Sequence, residues 1–84
     1  MTLSLMEQTT FLDNLARNIW KRRKALHLTQ EMLSEKIDLT PQHIYLIENG
    51  KVMNPGIITI MTFARFFGCS VSDLLEDNKE EVTQ

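Results

Sequence analysis

Residues Thr40 to Lys51 read TPQHIYLIENGK, and the fold turns on how that stretch is taken. A hydroxyl residue followed by proline marks a helix start. The Thr40 side chain can accept a backbone N–H of the first turn, and Pro41 stands at the first helical position, where its missing N–H costs nothing. Asn-Gly-Lys at 49–51 marks the end, with Gly50 suited to a left-handed cap. Between these signals Ile44 and Ile47, three apart, form one buried stripe. Pro41, Gln42, His43, Tyr45, Leu46 and Asn49 are then left facing outward. A short helix does not need a Gln-His-Tyr-Leu face for its own core, so that face is expected to serve something outside the chain.

Upstream, Thr29 caps a helix over QEMLSEKI, with Leu33 and Ile37 at a four-residue spacing. Asp38 and Leu39 make a tight connection, with Asp38 as the residue able to turn left-handed. Thr10, with Asp13 three residues on, is expected to cap the first helix. Leu12, Leu15 and Ile19 share its inner face, extended by Arg23 and Leu26, and the basic residues 21–24 suit its C-terminal dipole. Downstream, Lys51 to Gly56 form a loop. A fourth helix covers about 57–67, with Ile57, Ile60, Met61, Ala64 and Phe67 inward and Gly68 as its stop. Ser70 and Asp73 cap a short fifth helix ending near Leu75. No Val/Ile/Thr alternation is long enough for a strand. The expected fold is all-α, a compact five-helix bundle with an N-terminal arm over 1–10, a domain over 11–76 and an acidic tail over 77–84.

Composition excludes several classes. A chain of 84 residues, 43% hydrophobic and 24% charged, reads as one small globular domain and not as a disordered segment. No apolar run reaches membrane-spanning length, and MTLSLMEQTT lacks the basic and hydrophobic regions of a signal peptide, so a cytoplasmic protein is expected. One cysteine and two histidines supply neither a disulfide nor a four-ligand zinc site. The histidines lie 16 apart without a supporting nucleophile or carboxylate, and the three glycines make no phosphate loop, so no enzyme, metal or cofactor reading survives. The net charge of −2 hides an uneven distribution: residues 15–68 carry +4 and residues 69–84 carry −4.

The helix, three-residue turn and helix at 30–49 resemble the phage repressor and Cro family of helix-turn-helix proteins, also called the xenobiotic-response-element type. The matching features run in register over about 15–75. They are L-T-Q at 28–30, the L-x-x-K-I run from Leu33 to Ile37, I-x-x-I-E-N-G-K at 44–51, Asn54-Pro55, and F-G-C-S-V-S-D-L-L at 67–75. The resemblance implies a lambda-repressor-like bundle with the helix-turn-helix at helices two and three. It also explains the outward face, because a short helix offering hydrogen-bonding side chains and a flat surface is what a major groove accepts. This sequence departs from the pattern at His27 and Asp38, where glycine is usual, and at Leu46, where a longer polar residue is common. A leucine there can pack on a thymine methyl.

The resemblance implies roles at named positions. Gln42, near the start of the third helix, is placed to read an adenine edge, with Thr40, Pro41, His43, Tyr45 and Leu46 in or beside the groove. Gln30, whose alternative role is a cap, is placed to tie a phosphate to the recognition helix; Asn49 and Lys51 are placed for phosphate. Arg23 and Glu48 form the structural pair that pins the third helix. One such module buries little DNA surface, so a homodimer is expected, with Ile58, Phe66, Leu74 and Leu75 as its apolar contacts and Trp20 as a further spare apolar residue. Double-stranded DNA is the expected partner, in a repressor, restriction–modification controller or small autoregulator. The competing reading is an antitoxin-like protein whose main partner is another protein, for which the acidic tail and Leu46 speak. No small-molecule ligand is expected.

Overall fold

The computed structural model describes residues 2–77. Five helices follow in order: α1 (Leu5–Ala25), α2 (Gln30–Lys36), α3 (Pro41–Glu48), α4 (Ile57–Phe67) and α5 (Val71–Leu75). The all-α expectation holds among the described residues. The expected acidic tail, Asp77 excepted, lies outside them.

α1 is the spine. It starts earlier than Thr10, because Ser4 and Glu7 close a capping box: the Ser4 hydroxyl accepts the Glu7 N–H at 3.1 Å and the Ser4 N–H donates to Glu7 Oε1 at 2.9 Å. The Thr10 hydroxyl instead donates to the Met6 carbonyl at 3.0 Å, inside the helix. With its 21 residues α1 gains length to lie against both α3 and α5. Its inner face carries Leu15 and Ile19, fully buried, together with Arg23, whereas Leu26 lies beyond the helix and is exposed.

The other caps fall where local chemistry puts them. Thr29 accepts the Met32 N–H at 3.0 Å, Thr40 accepts the His43 N–H at 3.1 Å, and Ser70 with Asp73 makes a second capping box. Gly50 and Gly68 take the left-handed conformation after α3 and α4. Asp38 does not. The chain leaves α2 through an extended Ile37 (φ −129°, ψ 165°), so the turn needs no left-handed residue. The strain sits at the end of α1, where His27 has φ 59°, the single non-glycine of positive φ among the described residues.

The core joins Leu15, Ile19, Leu33, Ile44, Ile47, Phe63 and Leu74. Each such side chain contributes on the order of 1.5–3 kcal/mol by leaving water. Phe63, fully buried and stacked on Phe67 at 6.3 Å, was not among the expected inward residues. Ile57 and Met61, expected inward, are at least half exposed. The inner face of α4 thus runs through Ile60, Phe63, Ala64 and Phe67, opposite the side of Thr59, Thr62 and Arg65, and Ile57 and Met61 fall at its edge.

Two buried asparagines hold α5 on α1. Asn18 Nδ2 donates to the carbonyls of Leu74 at 2.9 Å and Glu76 at 2.7 Å, and Asn14 Nδ2 to that of Leu75 at 3.0 Å. They satisfy carbonyls that a short helix leaves unpaired at its C-terminal end.

Candidate nucleic-acid interface

Glu48, the last residue of α3, is a junction. Its carboxylate, with 2% of the side chain exposed, takes Arg23 in a fork: Nε to Oε2 at 2.6 Å and Nη2 to Oε1 at 2.8 Å. The Arg23 Nη1 donates to the Leu28 carbonyl at 2.8 Å, and Gln30 Nε2 donates to Glu48 Oε1 at 3.0 Å. One carboxylate therefore links the end of α1, the start of α2 and the end of α3. The hydrogen bond to Glu48 holds the Arg23 pKa above its ordinary value, outweighing the loss of solvent around the guanidinium. A two-pronged contact fixes direction as well as distance, so α3 has little freedom to rotate about its axis.

That fixed rotation sorts the side chains of α3. Ile44 and Ile47 are buried; Pro41, Gln42, Tyr45 and Asn49 are exposed. The N-terminal ends of α2 and α3 border one open groove, lined by Thr29, Gln30, Glu31, Pro41, Gln42 and Tyr45. Two helix starts with capped but partly unpaired N–H groups make such a groove receptive to anionic oxygens. A second groove runs between α1 and α3 past Arg17, Trp20, Gln30, Tyr45 and Asn49. Gln30 and Tyr45 belong to both, so the two grooves form one continuous surface.

A helix-turn-helix family profile matches residues 21–74, from the last turns of α1 to the core leucine of α5. The chain belongs to the Cro/C1-type helix-turn-helix family of DNA-binding proteins. It is similar to an uncharacterized HTH-type transcriptional regulator of Methanocaldococcus jannaschii, with 39% identity over 59 residues, which cover 69% of this chain and 88% of that protein. No solved structure matches it. Among the described residues no helix is long and apolar enough to cross a membrane, and no group of three His, Cys, Asp or Glu is placed to hold a metal.

In this Cro/C1-type chain α3 occupies the recognition-helix position. Gln42 lies in its first turn with its side chain in the groove, and Lys51 is exposed just past its end. Asn49 Nδ2 donates to the Tyr45 carbonyl at 2.8 Å, which turns that amide back on its own helix. His43 and Leu46 are half buried and offer less surface than an outward position would give. Gln30 is half buried as well and bonded to Glu48, so it ties α2 to the recognition helix.

On the far side, Ile58 is 72% exposed. Phe66 is half buried, edge-on to Phe67 at 5.4 Å, and Leu75 packs partly on the core. Leu74 is a correction. Expected at a dimer contact, it is completely buried in the protomer's own core and has no surface left to offer. Sequence reasoning gave α1 no part in the α3 surface, whereas Arg17 and Trp20 line its second groove. Arg17, Trp20 and Lys24 are spaced i, i+3 and i+7 on that helix and so share one side of it.

Proposed function

We propose that this protein is a sequence-specific transcriptional regulator, of the repressor or restriction–modification controller type, that binds a palindromic operator as a homodimer. The observation that carries this reading is the Glu48 junction, which holds α3 by its last residue and leaves Gln42, Pro41 and Tyr45 presented at its other end. Gln42 reads a base edge in the major groove, since a glutamine amide matches the paired donor and acceptor of adenine. Thr40, Gln30 and Lys51 set the register on phosphates. A half-buried His43 borders the groove, and Leu46 contributes apolar contact.

The dimer reading draws on α4. Ile57, Ile58 and Met61 are 59%, 72% and 50% exposed on one side of that helix, a contiguous apolar patch of the kind that serves as an interaction site. A two-fold axis there pairs the same surface with itself and adds a second recognition helix, which a single small module needs for tight binding. The two half-sites then lie about 34–36 Å apart. Selection of bound duplexes from random DNA tests the reading. A palindrome with that spacing is expected, and enrichment of no motif overturns sequence-specific recognition. The competing reading, a protein partner held by the α3 face, leaned on the acidic tail, which lies outside the described residues except for Asp77, and on Leu46, which is half buried and so offers a partner little surface.

A further inference from the structure

We propose that the exposed side of α1, through Arg17, Trp20 and Lys24, is a second DNA-binding element that grips the phosphate backbone beside the recognition helix. The proposal rests on the DNA-binding reading above and extends its footprint to a helix that the motif does not include.

The first observation is continuity. Arg17 and Trp20 line the groove between α1 and α3, whose other wall includes Gln30, Tyr45 and Asn49. Gln30 and Tyr45 also line the groove that holds Gln42. A duplex seated on α3 therefore borders α1, and what borders it is the sugar-phosphate ridge.

The second observation is charge. From residue 14 to residue 30 the chain carries Arg17, Lys21, Arg22, Arg23 and Lys24 and no acidic residue. Arg23 is turned inward, and the acid lining this groove, Glu48, is already neutralised by it. Arg17 meets Asp77 at 3.8 Å with both side chains about half exposed, an open contact that a phosphate can replace at little cost. Lys24 and Arg17 stand seven residues apart on one side of the helix, about 10 Å along its axis, enough to follow a strand over more than one nucleotide.

The third observation is Trp20. It is 47% exposed, the core does not use it, and the Lys24 ammonium stands 5.9 Å from its ring centroid. A tryptophan held beside a lysine offers an indole N–H, a cation and a flat apolar surface together, which suits a phosphate with its adjoining sugar. Charge complementarity selects DNA over a protein partner for this face.

Trp20 is the chain's single tryptophan, so its emission reports on this face directly. The full-length protein is titrated with its preferred duplex and a scrambled one at three salt concentrations. Both DNAs are expected to change Trp20 emission. Arg17→Gln with Lys24→Gln should weaken both DNAs alike and reduce the slope of log affinity against log salt by about 2 per half-site. Trp20→Ala should weaken both several-fold, and circular dichroism confirms that each variant is folded. Lys36→Gln, at the end of α2 away from Gln30, removes a charge elsewhere and should leave the slope in place. Equal loss per charge from Lys36→Gln would make the effect one of net charge and overturn the proposal. So would Lys51→Ala weakening DNA while the α1 variants and Trp20 emission stay unmoved, an outcome that leaves the regulator reading standing and frees this face for a protein. If the wild-type protein binds neither duplex, the regulator reading itself falls and this proposal with it.

Discussion

Arg23 and Glu48 lie 25 residues apart in the chain, and their side chains meet at 2.6 Å and 2.8 Å in a buried two-pronged contact. Removing one partner leaves a buried charge without its counterion. Glu48→Ala should therefore cost on the order of 3 kcal/mol in urea denaturation, whereas Arg23→Met with Glu48→Leu together should cost much less. An unmoved midpoint in Glu48→Ala would show that Leu28 and water suffice for Arg23.

His27 carries the left-handed backbone that ends α1, at φ 59°. A side chain in that conformation costs about 1 kcal/mol or more, and glycine avoids it. His27→Gly should raise the thermal midpoint even though glycine gives the unfolded chain more freedom. His27→Val, which crowds the same backbone further, should lower it. The pair of melts decides whether the strain is real.

The capping box on α5 should make stability depend on acid. Asp73 accepts the Ser70 N–H at 3.1 Å, and that backbone hydrogen bond, with the Ser70 hydroxyl adding to it, lowers the Asp73 pKa below its ordinary 3.8. The folded chain thus binds the proton less readily than the unfolded chain does. The contribution is complete above the ordinary value and is lost as pH falls through the folded one. The stability gap between wild type and Asp73→Asn should be constant from about pH 7 to pH 5 and close below about pH 4. A gap absent at every pH would assign the cap to the Ser70 hydroxyl alone, and a gap that persists unchanged into strong acid would detach the Asp73 contribution from its charge.

Reading and anchoring should separate at the two ends of α3. Gln42→Ala should cost roughly 1–3 kcal/mol on the preferred site and little on scrambled DNA, flattening the preference at one base pair in each half-site. Lys51→Ala should weaken both DNAs alike and reduce the salt slope by about 1 per half-site. Should both variants weaken both DNAs equally, Gln42 is another backbone contact.

The dimer reading makes a separate demand on Ile58. Ile58→Glu puts two like charges at a two-fold contact, so sedimentation should find wild-type dimers and variant monomers at the same concentration. The variant should stay folded, because the side chain is 72% exposed in the protomer. Wild-type monomers at tens of micromolar would remove α4 from the assembly.

What the sequence determined by itself lies within a turn or so of each residue. Thr29, Thr40 and Ser70 cap helices because a hydroxyl and an N–H three residues on are brought together by local geometry alone. Gly50 and Gly68 end helices for the same local reason, and Ile44 and Ile47 face inward because α3 also carries polar residues that set its phase. Pro41, Gln42, Tyr45 and Asn49 were legible as outward from that phase, whereas His43 and Leu46 came out half buried; the partner of Arg23 was legible from the motif. Local codes fail where they are degenerate. Thr10 with Asp13 read as the first helix start, but Ser4 with Glu7 closes a box of the same form six residues earlier, and the longer helix forms because its added turns close their own hydrogen bonds. On α4 only Thr59, Thr62 and Arg65 are polar, so its apolar arc is wider than its buried face, and α5 has five residues; neither pattern names a single buried side. Only packing could choose Phe63 over Met61 and put Leu74 in the core. Packing also laid the end of α5 on Asn14 and Asn18, and set Arg17 and Trp20 of α1 beside Tyr45 and Asn49 of α3. Those meetings join residues far apart in the chain, and their energy exists only once the helices have docked.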